Sequence, residues 1–294
     1  MIFACAIDRN YVELAGVMLY SCRINGNIDD AALYILGDHL RPVDKRRLEI
    51  CAGRKIVFID LTDEMIAMIS GFKTTSYWSR ATYARLILPD LPETAGKRLV
   101  YVDADTIVKK SIRPLFELDL GDAIAAAVGG PGERMNEGIS RPHDTFYFNA
   151  GVLVIDVDKW KANDLTNKAF ALLRQRHYPF QDQDVLNLVV GSRVLPLDPV
   201  WNMQKSMTCA DPAIVHFIHA KPNTTECSHP EKATFLAYRS QTPWGSKRLQ
   251  TKADRRWRRI KHSVWRRLVR LKNVLLPHSK PAPLAPMGSN LTDA

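Results

Sequence analysis

The chain has 294 residues, 46% hydrophobic and 24% charged, with a formal net charge of +10, the make-up of a soluble globular protein with room for one large α/β domain or two small ones. No uninterrupted apolar run nears the roughly 18 residues of a membrane span, and Met1–Asp8 lacks the basic start of a secretory signal. Five cysteines (Cys5, Cys22, Cys51, Cys209 and Cys227), odd in number and without a Cys-x-x-Cys pair, argue for reduced packing thiols in a cytoplasmic protein, against a disulfide framework or zinc site.

In chain order, Ile2 to Ile7 reads as an apolar strand ending at Asp8-Arg9-Asn10, followed by a helical pattern from Tyr11 to Cys22. Ala31 to Leu36 is a second strand, Pro42 to Ile50 a helix with Pro in its first turn, and Ile56 to Ile59 a third strand. Thr82 to Leu88 continues a helix begun near Ser79 and stopped by Pro89. Arg98 to Val102 then forms a strand that runs into Asp103-Ala104-Asp105. Such alternation predicts an α/β fold with a mainly parallel sheet and helices on both faces. Further on, Ala123 to Val128 reads as a strand broken by Gly129-Gly130. Thr145 to Phe148 and Val152 to Ile155 read as two strands around a tight junction at Asn149-Ala150-Gly151. Asp182 to Val190 is helical, and Ala213 to Ile218 is a late strand ending near His216. No Gly-rich phosphate loop is present, so a nucleotide would have to be held by another device.

Strand ends in an open α/β sheet deliver their residues to the ligand crevice. Asp103 and Asp105 would therefore stand where a metal and phosphates sit, although a strand-end Asp pair is also a common solvated turn. His216 could add an imidazole, and Lys221, five residues on, a point charge for phosphate. Two carboxylates and one imidazole suit a divalent ion such as Mn²⁺. Plainer readings exist for each: Asn149 to Gly151 as a turn, Gln181 to Asp184 as a helix cap, His216 as a satisfied core histidine.

Taken together and in order, the segments resemble glycosyltransferase family 8, and within it the bacterial lipopolysaccharide galactosyl- and glucosyltransferases. They are Ala6 to Tyr11, Thr82 to Leu86, Val100 to Asp105, Phe146 to Leu153, Phe180 to Asn187 and His216 to Pro222. The resemblance implies a GT-A fold, Rossmann-like with a mainly parallel central sheet and flanking helices. It further implies retaining transfer of a hexose, galactose or glucose, from a UDP-sugar to a saccharide acceptor such as lipopolysaccharide core. Mn²⁺ is the implied ion and Mg²⁺ its alternative. By motif, Asp103, Asp105 and His216 are the implied metal ligands, and Lys221 meets the diphosphate with Ala104 and His219 beside it. Ala6, Asp8 and Asn10 meet uridine and ribose, and Asp103 also faces that side. Arg85, Asn149, Asp182 and Gln183 surround the donor sugar. Asp182 is the carboxylate to test as a nucleophile, while the Gln183 amide suits positioning. Front-face attack, with the leaving phosphate taking the acceptor proton, is the alternative.

The chain departs from the family pattern at His219, where Gly is usual, at Asn223, where Trp is usual, and at Gly129, near which an acceptor-facing Asp is often found. A nucleotide-sugar-binding protein without transfer activity is the alternative function that Gly129 and His219 suggest.

The charge divides the chain. From Lys247 onward 13 Lys and Arg face only Asp254 and Asp293, whereas residues 1–246 carry 28 basic and 29 acidic residues. Residues 1–246 are thus expected to be the catalytic domain, 247–276 a basic amphipathic segment, and 277–294 a disordered tail. Arg255 to Leu271 reads as a helix with Trp257, Ile260, Val264, Leu268 and Leu271 on one stripe and basic residues elsewhere, as on an interfacial helix on anionic lipid. The expected location is peripheral, on the inner face of the cytoplasmic membrane, near a lipid-linked acceptor. The rival readings are a helix packed on the domain and a nucleic-acid-binding arm. Nucleic acid is not the expected partner.

Overall fold

The computed structural model describes residues 1–69, 71–72, 80–130, 138–142, 145–205, 207 and 209–257. The chain divides into two units, residues 1–250 and 251–294. In the first unit β1 (Ile2–Asp8), β2 (Ala32–Asp38), β3 (Val57–Asp60), β4 (Arg98–Val102), β6 (Ala125–Gly129), β7 (Phe148–Asp156) and β8 (Val194–Leu197) make one sheet. Its order is β3-β2-β1-β4-β7-β6-β8, and β7 alone runs antiparallel to its neighbours. A second, two-stranded sheet pairs β5 (Thr106–Val108) with β9 (Ile214–His216). The helices are α1 (Val12–Asn25), α2 (Pro42–Ala52), α3 (Asp63–Ile69), α4 (Arg80–Ile87), α5 (Arg113–Glu117), α6 (Val157–Ala162), α7 (Leu165–Gln175), α8 (Asp182–Val190) and α9 (Lys232–Ser240). The mainly parallel sheet with flanking helices expected from the sequence is the observed architecture.

Side-chain alternation explains why both faces are covered. Along β1, Phe3, Cys5 and Ile7 join one core cluster with α1, α2, Phe235 and Trp244. Ile2 and Ala4 point the other way, into a second cluster with Tyr83 and Leu86 of α4, Phe170 of α7 and Val185 of α8. A strand buried on both faces reads as a continuous apolar run, as β1 and β4 do. Gly16 lets α1 approach closely, since a Cβ there would lie 3.0 Å from Trp244 Cη2. All five cysteines are free.

One expectation needs correction. Asn149-Ala150-Gly151 is no junction between two strands; it lies inside the continuous strand β7, paired to β4 and β6. A polar residue is tolerated there because every polar atom type of the Asn149 side chain finds a partner. The structure also contains β5, β8, α3, α5, α6, α7 and α9, which the sequence reading did not assign. Helix α2 runs on to Ala52 and stops at Gly53, whose φ of 68° is the left-handed cap that glycine accepts readily.

In the second unit, residues 252–257 are helical. Thr251 Oγ1 accepts from the Asp254 N–H at 3.2 Å and the Asp254 carboxylate accepts from the Thr251 N–H at 2.9 Å, a reciprocal cap. Trp257 is exposed. The rest of the expected amphipathic helix and the expected disordered tail lie outside the described residues.

Candidate active site

The site is assembled at the carboxyl ends of β1 and β4. Asp103 and Asp105 sit in the turn from β4 to β5, which is closed by Thr106 Oγ1 donating to the Asp103 carbonyl at 2.8 Å. The ladder of β5 with β9 sets Thr106 opposite His216, and the Phe217 N–H donates to the Asp105 carbonyl at 2.8 Å. A two-strand ladder absent from the sequence reading is therefore what brings the distant imidazole to the carboxylates. Asp103, Asp105 and His216 each offer one ligand atom, all within 4.8 Å of one another. His216 Nε2 lies 3.4 Å from Asp105 Oδ1 and 3.8 Å from Asp103 Oδ2. This set of two oxygens and one nitrogen fits a borderline divalent cation. The candidate metal ligands named from the sequence are thus brought together.

Lys221 Nζ bonds Asp105 Oδ2 and donates to the Phe217 carbonyl at 3.2 Å. Burial raises the Asp105 carboxyl, but the Lys221 ammonium opposes it, and the group is held far below the usual carboxylate range. The Asp105 side chain is only 8% exposed, against 20% for Asp103, so Asp103 is the more open carboxylate.

Arg85, on α4, ties three segments together. Its Nη2 is 2.9 Å from Asp103 Oδ1, its Nη1 donates to the Ala150 carbonyl at 2.6 Å, and its Nε lies 2.9 Å from Asp182 Oδ2. The last is an ion pair without the alignment of a hydrogen bond, because that oxygen has no hydrogen-bond partner. The guanidinium also stands over the Tyr101 ring at 4.8 Å. Tyr101 Oη donates to Asp103 Oδ1 at 2.7 Å. Burial pushes the Asp182 carboxyl up to about 6, with Arg85 opposing and Asp103 reinforcing the shift.

Gln181, at the start of α8, takes φ 49° and ψ −114°, a conformation rare for a side-chain-bearing residue. Tyr83 Oη donates to its Oε1 at 2.7 Å in a buried setting. This unusual backbone orients the start of α8 and with it Asp182.

The remaining named residues divide. Asn149 Nδ2 and the Ala150 N–H both donate to Gln183 Oε1, at 3.0 and 3.1 Å, and Gln183 Nε2 donates to Tyr147 Oη at 3.1 Å. Both amides are thus engaged in holding α8 on β7. Tyr147 in turn donates to Asp184 Oδ1 at 2.6 Å. At the end of β1, Asp8 Oδ1 accepts from the Asn10 N–H at 2.8 Å, and half-buried Ala6 precedes them. The Ala104 side chain is buried, which leaves its backbone as the group it can offer.

His219 keeps a left-handed backbone, φ 67°, with its side chain exposed, so it holds the conformation that suits glycine. Asn223 is buried and its carbonyl accepts from the Gln250 N–H at 3.0 Å. A Cβ at Gly129 would lie 3.1 Å from Phe146 Cε2, so a side chain there needs that ring to yield.

The sequence reading gave no individual role to three supporting residues. Tyr101 lies on β4 two residues before Asp103, which follows the strand end, and extending the period-2 alternation by one residue could have placed both on one side. Gly151 has a specific reason to be glycine: a Cβ would lie 2.6 Å from His216 Nδ1. Asn202, after a short 3₁₀ turn (Pro199–Trp201), contacts His216 Nδ1 through its Oδ1 at 3.0 Å, and nothing in the sequence signals it.

The sequence model of glycosyl transferase family 8 matches residues 2–246. General stress protein A of Bacillus subtilis is 29% identical over 272 residues, 83% of this chain and 94% of that protein. Lipopolysaccharide 1,3-galactosyltransferase of Salmonella typhimurium is 27% identical over 263 residues, 82% of this chain and 78% of that one. Among solved structures, the galactosyltransferase LgtC in complex with donor and acceptor sugar analogues superposes with a TM-score of 0.72 at 24% identity, over 83% of this chain and 96% of that one. That likeness establishes the fold, GT-A. With the family model spanning the sheet and every cluster described above, the chain belongs to glycosyl transferase family 8.

Proposed function

We propose that the protein is a retaining hexosyltransferase that moves galactose or glucose from a UDP-sugar to a saccharide acceptor such as lipopolysaccharide core, with Mn²⁺, or Mg²⁺ as the alternative, held by Asp103, Asp105 and His216. The observation that carries the reading is the convergence of those three side chains beside Lys221. When bound, the ion supplies Lewis-acid stabilisation of the leaving diphosphate. Lys221 contributes a point charge for the same oxygens, with the Ala104 backbone and His219 alongside. Asp8, Asn10 and Ala6 face the uridine. In the transfer, the bond from the anomeric carbon to the phosphate oxygen breaks, a bond to the acceptor oxygen forms, and the acceptor proton leaves with the diphosphate. Positive charge develops on the sugar meanwhile. Asp182, ionised above pH of about 6, stabilises that charge, and Arg85 fixes its distance from Asp103. Asn149 and Gln183 shape the floor on which the sugar rests.

The binding-only alternative draws on His219 and Gly129. His219 preserves the glycine-like backbone, which favours transfer. Among the described residues no helix is long and apolar enough to cross a membrane. The basic residues beyond Lys247 support peripheral attachment to the anionic inner face of the cytoplasmic membrane, where a lipid-linked acceptor would lie. The test is UDP release from UDP-galactose and UDP-glucose with and without Mn²⁺. Slow, ion-dependent release without acceptor is expected. Binding of UDP-sugar with no release in either case would favour the alternative.

A further inference from the structure

We infer that Asn202 is a positioning residue that fixes the tautomer of His216, keeping its proton on Nδ1 and turning the Nε2 lone pair toward Asp103 and Asp105. This rests on the reading of those three residues as the cation site.

The assignment follows from a chain of hydrogen bonds whose direction is set by the backbone. The Gly151 N–H can only donate, and it donates to Asn149 Oδ1 at 2.9 Å. The Ala150 N–H likewise donates to Gln183 Oε1, which also receives Asn149 Nδ2. Two backbone donors thereby settle which end of the Asn149 amide is oxygen. That oxygen is 2.9 Å from the Asn202 side chain, which must present Nδ2 to it. Asn202 Oδ1 is then left facing His216 Nδ1 at 3.0 Å. An amide oxygen accepts only, so His216 must supply the proton from Nδ1. A neutral imidazole has one proton, and Nε2 is left as an acceptor.

The consequence is chemical. Nε2, Asp105 Oδ1 and Asp103 Oδ2 become three lone-pair donors facing one another, an arrangement that a cation relieves and that a proton on Nε2 would block. Hydrogen bonding of the other ring nitrogen is a general device for orienting a histidine ligand. Asn202 is rigidly placed for it. It is fully buried, and the main chain around it is stitched to β9: the Met203 N–H donates to the Ile214 carbonyl, and the His216 N–H to the Met203 carbonyl. The amide and the imidazole therefore move as one unit.

The test uses the full-length protein with ¹⁵N-labelled histidine. Long-range proton–nitrogen spectra of the metal-free protein at alkaline pH report which ring nitrogen of His216 is protonated, and calorimetry reports binding of Mn²⁺ alone. The wild type should show protonated Nδ1 and bare Nε2. Asn202→Leu should lose this preference and bind Mn²⁺ about 10–100-fold more weakly. Asn202→Asp keeps an acceptor for Nδ1 and should retain the tautomer, while it sets an oxygen against Asn149 Oδ1 and should melt at lower temperature. A wild-type signal from protonated Nε2 overturns the inference with no variant needed. So does an Asn202→Leu protein with unchanged tautomer and affinity, or equal losses in both variants, which would mark a packing role. If the wild type binds no Mn²⁺ yet shows the Nδ1 tautomer and Asn202→Leu shifts it, the positioning role stands and the cation reading fails.

Discussion

In a Gly151→Ala variant the added methyl would stand 2.6 Å from His216 Nδ1 and 2.9 Å from Asn149 Oδ1. Heavy atoms in contact keep about 3.5–4.0 Å apart, so the imidazole or strand β7 must retreat by about 1 Å. The strand is the stiffer partner, because β4 and β6 pair it on both sides. A metal ligand tolerates about 0.2 Å of displacement, and the ring movement far exceeds this. The expected result is Mn²⁺ affinity about 10–100-fold weaker, together with about 1–3 kcal/mol of lost stability from overpacking. Mn²⁺ titration calorimetry in the presence of UDP measures the first, and thermal melting in chelator the second. Gly129→Ala is the control: its methyl would crowd Phe146 at 3.1 Å, so melting should drop with Mn²⁺ binding intact. A Gly151→Ala protein that binds Mn²⁺ within about twofold of wild type would refute this account of the cluster.

Asp103→Asn and Asp105→Asn should each abolish Mn²⁺-dependent UDP release, and a near-normal rate in either variant removes that residue from the ligand set. Asp182→Asn should inactivate the enzyme yet stabilise it. Burial raises this carboxyl from 3.8 to about 6, so the folded state keeps a proton that the unfolded chain releases, and stability falls as pH rises across that interval. Above it the ionised group costs about 3 kcal/mol. Melting curves should therefore show a gain for the variant at pH 7–8 that shrinks away below the usual carboxylate value; a gain independent of pH contradicts the assignment. A chain ending at Gln250 retains the bonds that Gln250 makes with Asn223 and Thr225, and should fold and hydrolyse UDP-sugar. It should lose binding to anionic vesicles, since each basic residue removed is worth about 1 kcal/mol there. Equal vesicle binding by the shortened chain would exclude the tail as the anchor.

Fold class was legible because β1 and β4 are apolar on both faces and alternate with helical patterns, so local pattern and global architecture agree. Strands β5 and β8 and helices α3, α5, α6, α7 and α9 escaped assignment. For the three-residue β5 there is a plain reason: it is too short to show a period, and β9 must arrive from the far end of the domain to pair with it. Asn149 to Gly151 misled for a different cause. Small and polar residues in sequence signal a turn, but here Gln183 and Asn202 absorb the polar groups and His216 demands the missing side chain. The ligands themselves were visible as residue types at strand ends. Their supports, Tyr101, Tyr147 and Asn202, were not, because hydrogen-bond partners distant in sequence leave no local trace.

Lys221 gives the cluster a further property. Its ammonium is bonded to Asp105 Oδ2, while Oδ1 of the same carboxylate faces His216. A divalent ion at Oδ1 and the ammonium at Oδ2 would draw on the same negative charge, so binding of the ion would loosen the lysine. The loosened ammonium, on a flexible stem, then suits an incoming diphosphate. Ion and nucleotide should each tighten the other, by the same factor in either order. The pair thus behaves as an exchange point, at which one positive charge is traded for another as the donor arrives.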